Sequence, residues 1–159
     1  VIIGVDPGMT GALAVIDRGQ LVAIMPMPTT NGQVSGSAIA EIIEGYAPTR
    51  VCIEDVHAMP QNGSISSFKL GYNFGIVVGV FNAARVPIMR VSSHRWKKSF
   101  NLIGKDKSAS RALAMELYPA HAHSFRLKKD DGKAEAALIA RWGLGEYIRQ
   151  ANTNEGALL

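Results

Sequence analysis

Cysteine is nearly absent. Cys52 is the one thiol in 159 residues, so an intrachain disulfide has no partner. Its place inside the apolar run Val51-Cys52-Ile53 suits packing in a reduced compartment better than redox or nucleophilic chemistry. No stretch approaches about 18 consecutive apolar residues, which argues against a membrane span. No basic leader precedes the first apolar run, so a cytoplasmic, intracellular protein is expected. Internal repeats and linker-like shifts of composition are also missing. Residues 1–159 are therefore expected to form a single domain, for which a hydrophobic content of 47% is sufficient, with about 150–159 a frayed tail. Acid is scarce over one long stretch: residues 85 to 149 carry 14 Lys+Arg against 6 Asp+Glu, whereas the rest carries 3 against 7. The net charge of +4 thus conceals a one-sided basic distribution. Such a distribution is the footprint of a polyanion binder, although a solvated basic surface would look the same.

What is present begins with Val1-Ile2-Ile3-Gly4-Val5-Asp6, an apolar strand that must stop at Asp6 because Pro7 and Gly8 cannot extend a central ladder. Ala12 to Ile16 and Leu21 to Met25 read as two more strands, joined through Asp17-Arg18-Gly19-Gln20, which makes the first three an antiparallel meander. Pro26 to Gly36 reads as a loop. Ser37 is placed to cap a helix carrying Ala38, Ile39, Ile42 and Ile43, which ends before Gly45 and Pro48. That helix lets the next strand, Arg50 to Asp55, return parallel to the first. Asp6 and Glu54 would then end adjacent strands on one edge, where open α/β sheets usually hold ligands. A loop is expected over His57 to Ser67, and a helix over Phe68 to Ala84. Within the helix Gly71, Gly75 and Gly79 recur every four residues. Each mid-helix glycine costs about 1 kcal/mol relative to Ala, so the row suggests a face that the sheet or a second copy approaches closely.

A fifth strand, Val86 to Val91, leads into an aromatic-basic stretch from Ser92 to Phe100 and then Gly104-Lys105-Asp106-Lys107-Ser108, ahead of a helix over Ala109 to Leu117. Lysines interleaved with Trp96 and serines suit phosphate contacts; an ordinary basic loop with Trp96 packed inside is the plainer alternative. His121 and His123 could ligate a metal, but no Cys or acidic partner lies close in sequence. Asp130-Asp131-Gly132-Lys133-Ala134-Glu135 opens the last helix, Ala134 to Ile148. Acids at three separated element edges would repel one another unless a cation neutralised them. All-oxygen ligation suits Mg²⁺ or Mn²⁺. Two such ions about 3.5 to 4 Å apart activate a water and stabilise the leaving oxygen of a phosphodiester. An acidic site with a basic flank reads as a metal-dependent nuclease.

The order of elements resembles the RNase H-like superfamily, specifically the phage-like branch of the RuvC-type Holliday junction resolvases. The resemblance rests on Gly4-Val5-Asp6-Pro7-Gly8 with Thr10-Gly11, Ile53-Glu54, Lys69-Leu70-Gly71, Lys105-Asp106-Lys107-Ser108 and Lys133 to Ala140, and spans the chain to about Arg149. It implies an α/β, RNase H-like fold, a five-stranded mixed sheet (three antiparallel strands, then two parallel) flanked by helices. It also implies a homodimer that nicks four-way and other branched DNA symmetrically with two Mg²⁺ or Mn²⁺ ions per site. Asp6 and Glu54 match the family's first two acids. Bacterial members carry two aspartates three apart in the last helix, whereas here Glu135 takes the second position and Gly132 the first; Asp131, one residue earlier, is the expected substitute, with Asp130 the alternative. Lys107 resembles the family's DNA-contacting lysine, with Lys97, Lys98 and Lys105 as companions. Where bacterial members place an aromatic wedge after the second acid, this chain has His57 and Met59. The phage-like likeness is consistent with a phage protein acting in a host cell. Competing readings are an RNase H-type enzyme on RNA–DNA hybrids and a catalytically inert DNA-binding homologue. A nucleotide-binding ATPase shares the first motif but needs a second similar domain.

Overall fold

The computed structural model describes residues 1–57 and 63–156. Five strands form one mixed sheet in the order β3-β2-β1-β6-β7. β1 (Ile2–Asp6), β2 (Ala12–Asp17) and β3 (Gln20–Pro26) are the antiparallel meander. β6 (Arg50–Asp55) runs parallel to β1, and β7 (Ile88–Ser92) parallel to β6. The expected mixed sheet is therefore present, with β1 at its centre. Arg18 and Gly19 both adopt positive φ at the β2–β3 turn, as a two-residue hairpin matched to strand twist requires.

Side chains alternate across β1 with period two, which decides what the sheet carries on each face. Ile3 and Val5 face a core shared with Ile39 and Ile43 of α1 (Gly36–Tyr46) and with Val77 and Phe81 of α2 (Ser64–Ala83). Gly4 and Asp6 face the other way, toward α5 (Asp131–Gly156). A Cβ at Gly4 would lie 2.3 Å from Ala140 N and 2.4 Å from Ala136 O, so α5 rests directly on the strand backbone. Cys52 meets the same helix at Gly143, where an added Cβ would come within 2.9 Å of Cys52 Cβ. The buried run Ala136 to Ala140 is the helix side of this contact. Each small residue there brings α5 closer, and the site is built on that closeness. The remaining helices on this face are α3 (Ser93–Ser99) and α4 (Lys107–Leu117), with 3₁₀ segments at Pro119–Phe125 and Lys128–Asp130.

Several local expectations are corrected. Ser35, not Ser37, caps α1, its Oγ accepting from Ala38 N, and the helix continues through Gly45 to Tyr46. The Pro26–Gly36 segment holds a small hairpin, β4 (Thr29–Thr30) and β5 (Gln33–Val34), turning on Asn31-Gly32 with φ of 52° and 75°. The buried Asn73 of α2 accepts from Val34 N and pins that hairpin at 3.1 Å. α2 begins at Ser64 rather than Phe68. Ser93–Ser99 is helical rather than loop, because Ser92 Oγ caps it by accepting from Arg95 N. α5 starts at Asp131 and runs to Gly156, past the tail expected from about 150. Gln150 is held there by Arg50, and Thr153 Oγ1 donates to Arg149 O. Met59 lies outside the described residues. Among the described residues no helix is long and apolar enough to cross a membrane.

Candidate active site

Three acids from three elements meet at the edge where β1 and β6 end. The register pairs Val5 with Ile53, so Asp6 and Glu54 are the next residues on adjacent parallel strands and point to the α5 face. Glu135, in the second turn of α5, is buried against them. Burial pushes Asp6 up to about 6, and the Glu135 charge adds to the rise; the Gly8 N–H, Lys107 and Lys97 pull it back. Burial likewise pushes Glu54 up to about 7, opposed by a hydrogen bond from Trp96 and reinforced by the charges of Asp6 and Glu135. Desolvated like charges held together are unfavourable without a cation.

The basic segment supplies part of the compensation. Lys97 Nζ stands 3.2 Å from Glu135 Oε1. That contact is an ion pair without hydrogen-bond geometry, since Glu135 Oε1 is buried with no hydrogen-bond partner. Trp96, fully buried, donates from Nε1 to Glu54 Oε2 at 2.9 Å. Lys107 begins α4 close enough to Asp6 to lower it, after Asp106 caps the helix by accepting from Ser108 N at 2.7 Å. Lys98 and Lys105 are exposed.

Asp131 stands apart from this trio. Its carboxylate is bound by Arg111 of α4, and the two line a depression with Asp106, Lys107, Ser108 and Lys128. Asp130 is buried and occupied by Lys133 Nζ and Leu127 N, each at 2.9 Å. Position 132 is the one that faces Asp6: a Cβ there would lie 3.1 Å from Asp6 Oδ2. The same Cβ would lie 2.4 Å from Thr10 O, so the Thr10-Gly11 turn leaves room only for glycine. His121 and His123 stack on each other within their 3₁₀ segment, 6.5 Å between centroids, and Cys52 is driven up to about 12 by burial and the charge of Glu146.

The residues suit a hard divalent cation. The donors are all carboxylate oxygens, two of the groups resist ionisation in this setting, and one buried oxygen lacks a hydrogen bond. Among the described residues, as their side chains stand, no group of three or more His, Cys, Asp or Glu is placed to hold a metal ion. Two participants escaped sequence reasoning. Trp96 sits 42 residues from Glu54, and Arg111 sits 20 from Asp131. For Trp96 the available signal was chemical: a buried indole N–H needs an acceptor.

No family model matches the chain. It is 32% identical over 141 residues to the chloroplastic Holliday junction resolvase MOC1 of Chlamydomonas reinhardtii, a match covering 88% of this chain and 14% of that protein. The chain thus spans a small part of that relative's length. Among solved structures, Thermus thermophilus RuvC in complex with Holliday junction substrate superposes with a TM-score of 0.67 at 18% identity, covering 89% of this chain and 95% of that one. A second Thermus thermophilus RuvC structure gives 0.62 at 16%, covering 87% and 91%. The yeast mitochondrial Holliday junction resolvase Ydc2 gives 0.50 at 15%, covering 88% and 75%. Structural matches at such identities speak for the fold, and the sequence match to the resolvase covers most of this chain; the chain has the fold of RuvC and is similar in sequence to a Holliday junction resolvase.

Proposed function

We propose that the chain is a metal-dependent endodeoxyribonuclease that resolves four-way and other branched DNA by symmetric phosphodiester hydrolysis. The observation that carries this reading is the meeting of Asp6, Glu54 and Glu135 at one sheet edge, beside the lysines of α3 and α4. These three acids hold the cation, with Asp131 as a fourth ligand when Arg111 releases it. Two Mg²⁺ or Mn²⁺ ions held there would supply an activated water and a counter-charge for the leaving oxygen. Lys98, Lys105 and Lys107 hold the DNA backbone, and Lys97 joins them when a cation replaces it at Glu135. Residues 1–159 act as one nuclease unit, in a DNA-associated location that is cytoplasmic where the cell keeps its DNA there. A homodimer is part of the reading, because paired cuts need two sites at a fixed distance.

The test is cleavage of a four-way junction, a linear duplex and an RNA–DNA hybrid of matched sequence, with Mg²⁺ and with chelator. Selective nicking of the junction, lost on chelation and in Glu54→Gln while junction binding persists, is the expected result. Undiminished cleavage by Glu54→Gln overturns the site, and preferential cutting of the hybrid overturns the substrate.

A further inference from the structure

We infer that Trp96 is a positioning residue for Glu54, and that its indole N–H makes this carboxylate a one-oxygen ligand and so favours Mg²⁺ over Ca²⁺. The inference rests on the metal site proposed above.

The indole is fixed before any ligand arrives. Trp96 is fully buried among Cys52, Val91, Leu102, Leu138, Ile139 and Trp142, so the ring cannot turn without displacing the core beneath α5. Its backbone is held as well: Ser92 Oγ caps α3, and Ser99 Oγ donates to Trp96 O at 2.7 Å. The N–H therefore points at one place, Glu54 Oε2 at 2.9 Å. This is the only side-chain hydrogen bond of Glu54 among the described residues, and it leaves Oε1 as the unbonded oxygen. Nζ of Lys97, the next residue, lies 5.1 Å from the Trp96 ring centroid and 3.2 Å from Glu135 Oε1. One short helix thus holds two acids of the site by different means. Glu54 receives a neutral donor that no cation displaces electrostatically, and Glu135 receives a cation that a metal can replace.

The consequence follows from coordination chemistry. Mg²⁺ demands near-ideal octahedral geometry, whereas Ca²⁺ accepts six to eight oxygens and takes carboxylates through one or both. A donor fixed on Oε2 opposes two-oxygen binding and keeps the carboxylate from rotating. Removing that donor frees Glu54 to chelate, which helps Ca²⁺ and does nothing for Mg²⁺. Loss of such an outer partner typically costs 10–100-fold in metal affinity.

The experiment replaces Trp96 in the full chain by benzothienylalanine, which keeps the ring volume and lacks the N–H, with Trp96→Phe as a second variant. Mg²⁺ and Ca²⁺ are titrated separately by calorimetry, and the unfolding temperature is read with and without each ion. The expected result is Mg²⁺ binding weakened about tenfold and Ca²⁺ binding changed less than about threefold, so that the ratio of the two affinities falls. Loss of packing alone would lower the metal-free unfolding temperature and both affinities together. An unchanged Mg²⁺-to-Ca²⁺ ratio in the isosteric variant overturns the inference while leaving the metal site standing. Failure of the unmutated chain to bind either ion overturns both.

Discussion

Asp6 and Glu54 are held where their own ionisation is unfavourable, and this sets how the protein should respond to pH. Both carboxyls titrate higher in the folded chain, near 6 and 7, than in an unfolded one, so between about pH 4 and 7 the folded state binds more protons. Stability without metal should therefore fall as pH rises through that window, the reverse of a salt-bridged carboxylate. A cation removes the penalty only where the acids are ionised. The rise in unfolding temperature on adding Mg²⁺ should accordingly be larger at pH 8 than at pH 5, as scanning fluorimetry with a chelator control would show; equal shifts would detach these acids from the metal. Both acids were legible in the sequence, because Asp6 ends one apolar strand and Glu54 stands one residue from the end of another. Trp96 and Arg111 were not, since a side-chain bond across tens of residues leaves no local pattern.

Periodicity made the five sheet strands and the long helices readable. Short elements closed by a single cap were not: α3 is only 7 residues long and hangs on Ser92. The β4–β5 hairpin carried a readable Asn31-Gly32 signal, and the surrounding polar residues masked it. Placing α5 three residues earlier than its apolar pattern also changes how its acids are read. Asp131 is the first residue of the helix and faces α4, while Gly132 and Glu135, three apart, face β1. The Arg111–Asp131 pair ties α4 to α5 at a partly buried position, and Arg111→Ala should cost about 2 kcal/mol in urea unfolding by leaving a carboxylate unpaired. Asp131→Asn keeps an acceptor for Arg111 and should be nearly neutral to stability. If Asp131 is a fourth ligand, the same variant loses at least tenfold in cleavage and needs more Mg²⁺. Full activity at unchanged Mg²⁺ would leave Asp131 as a structural partner of Arg111 alone.

Charge and symmetry belong to the whole molecule. Lys98 and Lys105 are exposed whereas Lys97 is engaged with Glu135, so the lysines of the basic stretch divide by role. Replacing Lys98 and Lys105 by Gln should flatten the salt dependence of junction binding by roughly two units of slope, about one per phosphate contact; an unchanged slope would mean that they only solvate the surface. In the proposed homodimer, pairing the two sites falls to α2. A Cβ at Gly71, Gly75 or Gly79 would meet nothing within 4 Å, so the sheet is not what approaches that row. The same helix exposes Ile65 and Phe68, each 73% accessible, with Tyr72 stacked on Phe68 at 6.2 Å between centroids. An apolar helix face with glycine hollows fits a second copy of itself. Gly75→Leu tests this with opposite signs at two levels. Within one protomer the leucine fills open space and improves helix propensity by roughly 0.5–1 kcal/mol, so the fold should hold or gain. Between protomers it occupies the hollow that a partner helix needs, so sedimentation should shift from dimer to monomer and paired cuts should become single nicks. A stable monomer in the unmutated protein, or a mutant that still sediments as a dimer, would remove α2 from the interface.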